Sequence, residues 1–200
     1  MIQQKCLPTT AFLIILFLYS VFRPGVSVSA PADSSIYDPG RLAPVDSATS
    51  LKIGDLAPDF SLPLLSGGSI TLSQYRGRKN VVLSFVPAAW TPVCSQQWPG
   101  YNIAKDLFDK YDTQLIGITV DNIPTLYSWT REIGRLWFPV ASDFWPHGSV
   151  AKKYGILRSN GVTERALFVI DKKGVIRYID VHDINTVPKL ETLINELKKL

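Results

Sequence analysis

Two apolar runs set the terms for what this chain can become. Asn80-Val-Val-Leu-Ser-Phe-Val86 is almost continuously hydrophobic, as a strand must be when layers cover both of its faces. Gln114-Leu-Ile-Gly-Ile-Thr-Val120 repeats the pattern, and the stretch between them, from about Pro92 to Tyr111, reads as helical. Upstream, Phe60–Leu65 and Ser69–Leu72 flank a Ser-Gly-Gly turn and predict a β-hairpin. Downstream, Asp121 is placed to cap a helix that carries Pro124 in its first turn and stops at Gly134. A short strand near Phe138–Ala141 precedes a brief helix ending at Gly155. A second hairpin follows, from Arg165–Ile170 through Asp171-Lys-Lys-Gly174 to Val175–Val181. Leu190, Leu193, Ile194 and Leu197 share one face of a last helix, with Lys198 and Lys199 at its electronegative end. The order predicts an α/β fold: a central mixed β-sheet flanked by helices, preceded by an N-terminal β-hairpin.

The domain is expected over residues 51–200. Residues 1–30 hold Lys5, an apolar run from Ala11 to Phe22, and small residues ending at Ser29 and Ala30. That run falls short of the ~20 residues a membrane-spanning helix needs, and the segment reads as a secretory signal peptide, or as an anchor if it is not cleaved. An exported protein is expected: periplasmic, in the cell envelope, or secreted. Residues 31–50 are rich in Pro, Ser, Asp and Ala without periodicity and read as a linker or loosely ordered tail.

Composition narrows the function. The chain is 46% hydrophobic and 19% charged, hence globular. Leaving out Lys5 and Arg23 reduces 21 basic residues to 19 against 17 acidic, a balance too even for a nucleic-acid-binding surface. Two cysteines, Cys6 and Cys94, exclude a disulfide-dense scaffold and a multi-thiolate zinc site, and two histidines argue against a histidine-built metal cage. Loss of residues 1–30 would leave Cys94 as the one thiol.

Cys94 sits where a buried strand hands over to a helix, in Pro87-Ala-Ala-Trp-Thr-Pro-Val-Cys94. Thr91 is a good helix cap and Pro92 suits the first helical position, which puts Cys94 third. The unpaired amides of a helix start favour an anion, so a thiol there is a candidate nucleophile. The residues alone leave open an inert packing cysteine.

Pro87, Thr91 and Cys94 form a Pro-x-x-x-Thr-x-x-Cys motif that resembles the active site of the peroxiredoxins, of the alkyl hydroperoxide reductase/thiol-specific antioxidant type. Gly54–Phe60, Phe138–Asp143 with Val150–Gly155, and Arg165–Asp171 resemble further segments of that family in the right order. The likeness covers about residues 51–200 and is greatest to the single-cysteine and bacterioferritin-comigratory-protein-like branches. It implies a thioredoxin-like fold. Thr91 stands where a thioredoxin has its first thiol, so that disulfide cannot close.

The resemblance also implies roles. Cys94 attacks peroxide and becomes a sulfenic acid. Arg165 holds the thiolate and polarises the peroxide, Thr91 hydrogen-bonds the peroxide, and Pro87 shields the pocket. The N–H groups of Val93 and Cys94 stabilise charge developing on oxygen. No metal or organic cofactor is needed. The implied partners are a peroxide, either hydrogen peroxide or an organic hydroperoxide, and an external thiol such as a thioredoxin-like protein, a glutaredoxin or a small thiol. Two copies of the chain could pair through one or two tryptophans. Gln97 departs from the family, where Glu is common, and Pro99-Gly100 predicts a kink or break in the helix. A second reading is a thioredoxin-fold envelope protein doing mixed-disulfide exchange or redox sensing. A third is a binding module with an inert cysteine.

Overall fold

The computed structural model describes residues 35–200. The signal-peptide or anchor reading, and Cys6 with it, lies outside the described residues. Among these residues seven strands and five α-helices, with a 3-10 turn at Leu72–Tyr75, keep the expected order, the first expected helix being divided in two. Strands β1 (Ser61–Pro63) and β2 (Ser69–Thr71) form the antiparallel hairpin. Then come β3 (Asn80–Phe85), α1 (Cys94–Asn102), α2 (Lys105–Lys110), β4 (Thr113–Thr119), α3 (Ile123–Glu132) and β5 (Val140–Ser142). The chain ends with α4 (Ser149–Lys153), β6 (Arg165–Ile170), β7 (Ile176–His182) and α5 (Leu190–Leu197).

The main sheet has the order β5-β4-β3-β6-β7, with β3, β4 and β5 parallel and β6 and β7 antiparallel to their neighbours. It is a mixed sheet with β3 at its centre, and all six residues of β3 are buried. Their alternation divides the core. Val81, Leu83 and Phe85 pack with the β1–β2 hairpin and with Val150, Ala151 and Tyr154 of the α4 region. Val82 packs on the opposite face with Cys94, Trp98, Phe108, Leu126, Trp129 and Leu193, contributed by α1, α2, α3 and α5. Ser84 interrupts the apolar run on this second face because its hydroxyl accepts from Trp98 Nε1 at 3.2 Å and Gln97 Nε2 at 3.3 Å.

Three expectations change in detail. Pro99 lies inside α1, and the helix runs on past Gly100 to Asn102. A proline removes a single N–H from the ladder, which a helix docked on a sheet tolerates. The break falls at Ile103–Ala104, where Ala104 N–H turns back to Tyr101 O at 3.1 Å. The cap of α3 is Asn122, whose side chain accepts from Thr125 N–H at 2.9 Å; Asp121 is used elsewhere. Residues 35–50 carry no helix or strand, in keeping with their composition, but they are tied to the domain rather than loose. Asp46 and Ser47 donate their amides to Glu164, Ala43 O accepts from Arg158, and Pro44 O accepts from Ile184 N–H.

Gly117 of β4 is a point of close approach. A Cβ there would lie 2.7 Å from Cζ2 of Trp98. Trp98 cannot yield, because its ring is held by Trp129 (centroids 5.0 Å apart), by Phe138 (5.9 Å) and by the bond to Ser84. Gly117→Ala is therefore expected to lower stability by about 1–3 kcal/mol. Urea unfolding should show a lower midpoint with an unchanged slope; an unshifted midpoint would mean that the α1–sheet interface has slack.

Candidate active site

The end of β3 and the start of β6 meet because the two strands run antiparallel, with Phe85 opposite Ala166. The loop that leaves β3 thus rises beside Arg165, the first residue of β6. Trp90 in this loop has a left-handed backbone, with φ of 61°, a conformation that a bulky residue holds only when its surroundings impose it. Three hydrogen bonds do so. Ala89 N–H donates to Asp121 Oδ2 at 2.7 Å, Thr91 Oγ1 donates to Ala88 O at 2.9 Å, and Tyr37 N–H donates to Trp90 O at 2.7 Å.

The Thr91 side chain therefore closes the loop instead of capping the helix. The first helical bond still runs to its carbonyl, from Ser95 N–H at 3.0 Å, and Cys94 is the first residue of α1 rather than the third helical position. The amides of Val93 and Cys94 have no acceptor among the described residues. They remain available to a negative oxygen, as unpaired N–H groups at a helix start do.

Arg165 is 1% exposed and Cys94 is wholly buried. Arg165 Nη2 lies 3.4 Å from Cys94 Sγ and 3.1 Å from Ile184 O, Nε donates to Ile184 O at 3.3 Å, and Nη1 donates to Gln97 Oε1 at 2.5 Å. A guanidinium keeps its charge, and a buried cation is costly unless paired. Of the acceptors around Arg165, Gln97 and Ile184 offer neutral oxygens. Only the Cys94 sulfur can carry a negative charge. Gln97 is fixed from behind, donating to Ser84 and, at 3.2 Å, to Tyr101 Oη. Burial holds the Tyr101 phenol above the ordinary tyrosine range, so that hydroxyl stays neutral. The Gln97 amide thus gives Arg165 a hydrogen bond without competing for its charge.

Pro87, Thr91, Val93 and Arg165 all line one cavity of about 640 Å³. Cys94 lies just behind this wall. Four of the residues singled out from sequence are thus gathered on one surface, with the fifth beneath it. Sequence reasoning missed three participants. Ile184 acts through its carbonyl, which no side-chain pattern reveals. Asp121 looked like a helix cap. Tyr37–Leu42, which also line the cavity, fall in a segment without periodicity.

The sequence model of the AhpC/TSA family matches residues 53–179. The chain belongs to that family. Alkyl hydroperoxide reductase E of Mycobacterium tuberculosis is 37% identical over 132 residues, which span 66% of this chain and 86% of that protein. A peroxiredoxin of Thermoplasma volcanium is 32% identical over 154 residues, covering 74% of each chain. Among solved structures, the reduced 2-Cys peroxiredoxin of Plasmodium vivax superposes with a TM-score of 0.71 at 26% identity, covering 74% of this chain and 81% of its own. AhpC of Mycobacterium tuberculosis, at 22% identity and a TM-score of 0.68, shares the fold. Membership makes this AhpC/TSA protein a thiol-dependent peroxidase with a thioredoxin-like fold.

Proposed function

We propose that Cys94 is the peroxide-attacking nucleophile of this peroxidase, and that the enzyme works with a single cysteine recharged by an external thiol. The observation that carries the assignment is the buried guanidinium of Arg165 at 3.4 Å from Sγ, with neutral oxygens as its other acceptors. Paired with that cation, the sulfur attacks the nearer peroxide oxygen. An S–O bond forms as the O–O bond breaks, and sulfur gives up two electrons. The departing oxygen takes a proton and leaves as water or an alcohol. Arg165 polarises the peroxide, Thr91 Oγ1, whose proton goes to Ala88 O, offers it a lone pair, and the amides of Val93 and Cys94 meet the charge that grows on oxygen. Pro87 covers one side of the approach.

The sulfenic acid is then attacked by an external thiol, giving a mixed disulfide and water, and a second thiol frees Cys94. The 200-residue sequence holds Cys6 and Cys94 alone. Export with removal of residues 1–30, supported by the charged start, apolar run and small-residue end of that segment, would leave no thiol in the chain to resolve the sulfenate.

The intact mass of the natural, processed protein after one equivalent of peroxide tests the reading. The expected product is the chain from residue 30 or 31, one oxygen heavier, trapped by dimedone and reduced again by dithiothreitol with turnover. A product two hydrogens lighter that still begins at Met1 would instead mean that Cys6 is retained and resolves Cys94.

A further inference from the structure

The family match begins at residue 53 and ends at 179, yet part of the lining of the cavity in front of Cys94 comes from residues outside those limits. Its outer wall is the strap Tyr37–Leu42, and Ile184 and Asn185 complete it. The strap is anchored at several points. Leu42 N–H donates to Asn185 Oδ1 and Leu42 O accepts from Asn185 Nδ2, both at 2.9 Å. Further along, Glu164 Oε1 accepts from the amides of Asp46 at 2.6 Å and Ser47 at 2.8 Å, and Asp46 Oδ2 accepts from Ser159 N–H at 2.7 Å and Oγ at 2.6 Å. Two of these anchors adjoin the Arg165 system directly. Glu164 precedes Arg165 in the chain, and Ile184, whose carbonyl receives Arg165, donates its own amide to Pro44 O at 3.0 Å. The strap is therefore held at a set distance from the guanidinium and from the sulfur beneath it.

The space it borders far exceeds what hydrogen peroxide requires. About 640 Å³ falls within the ~300–1,000 Å³ range typical of sites for larger organic ligands. Its walls are mostly apolar, and Pro39 and Leu42 line it together with Pro87, Pro92, Val162 and Ile184. Of the polar groups that line it, Asn185 is engaged by Leu42 and Asp183, and Asp38 by Gly40 N–H at 2.8 Å, while Arg41, exposed on the strap, adds one cation to the lining. We propose that the strap 37–47 determines which peroxides this enzyme prefers, with Leu42 as its specificity-determining residue, and that it selects hydroperoxides with a bulky apolar body. The strap supplies contact to the part of the substrate that does not react, which an open pocket would leave in water.

This inference rests on the peroxidase reading, and the experiment separates the two. Mature protein is mixed with cumene hydroperoxide or with hydrogen peroxide, acid-quenched, and weighed intact to count oxygen added at Cys94. The quantity read is the ratio of the two rate constants. Leu42→Trp fills the cavity and should lower that ratio about tenfold; Leu42→Ala removes apolar contact and should lower it by a smaller factor. A general loss of structure would depress both rates together and leave the ratio unmoved. If hydrogen peroxide oxidises Cys94 but the ratio is the same in wild type and both variants, the strap does not select and the peroxidase reading stands. If neither peroxide adds oxygen to the wild-type chain, the peroxidase reading falls and the strap proposal with it.

Discussion

Arg165→Met should slow sulfenate formation on Cys94 by a factor on the order of 10²–10³, the loss seen when a preorganised donor to a developing oxyanion is removed. Methionine fills much of the same volume but offers no N–H. Cys94 loses the cation at 3.4 Å from its sulfur, and Gln97 Oε1 and Ile184 O lose their donors. Stopped-flow tryptophan fluorescence can follow the reaction, since Trp98 packs on the same helix as the sulfur. Arg165→Lys separates charge from geometry. An ammonium restores the cation but cannot reach sulfur, Gln97 and Ile184 at once, so its rate should lie between those of Met and wild type. Equal rates in all three proteins would remove Arg165 from the reaction.

The second large effect is on stability. Arg158 and Glu164 form an ion pair whose side chains are 4% and 0% exposed. Removing one partner leaves the other charged in the interior, and Arg158→Met should destabilise the protein by about 3–5 kcal/mol. That is a large fraction of the ~5–15 kcal/mol that holds a typical domain. Glu164 would keep its two amide donors from Asp46 and Ser47, but these do not neutralise it. The double change Arg158→Met with Glu164→Gln should recover part of the loss, because no unpaired charge stays buried. Urea denaturation of the wild type and the two variants measures both statements. A single variant as stable as wild type would show that the pair is solvated in solution.

What could be read from the sequence was local. The apolar run 80–86, the motif from Pro87 to Cys94 and the hairpin that begins at Arg165 each announce themselves within a dozen residues; they were enough to predict a mixed sheet with a thiol at a strand-to-helix junction, and the family resemblance added the guanidinium of Arg165. Errors came where two adjacent residues could do the same job or where a weak point could be absorbed. Asp121 and Asn122 are both good caps; the choice went to Asn122 because Ala89 N–H, across the loop, needed the carboxylate. Pro99 was tolerated because α1 lies on the sheet. The strap was illegible for a different reason. It is held largely by backbone groups meeting side chains more than a hundred positions away, such as Asp46 N–H at Glu164 and Leu42 at Asn185. Backbone amides have no sequence signature, and the Pro- and Ser-rich composition that marks a disordered tail also suits a chain that crosses a surface in extended form.

The pairing of β6 against β3 carries a consequence for the life history of the thiol. Cys94 and Arg165 are 71 positions apart, and contacts of that separation come only after a large loop has been closed. Until the two strands align, the cysteine has no cation beside it and no shaped pocket in front of it. A newly made chain therefore carries an unarmed sulfur, and the finished sheet is what arms it. The reverse holds when the domain loosens: separation of β6 from β3 exposes the sulfur and withdraws its guanidinium in the same event. Fast peroxide chemistry therefore goes when this strand pairing goes, and peroxide reactivity becomes a direct readout of whether the centre of the sheet is intact.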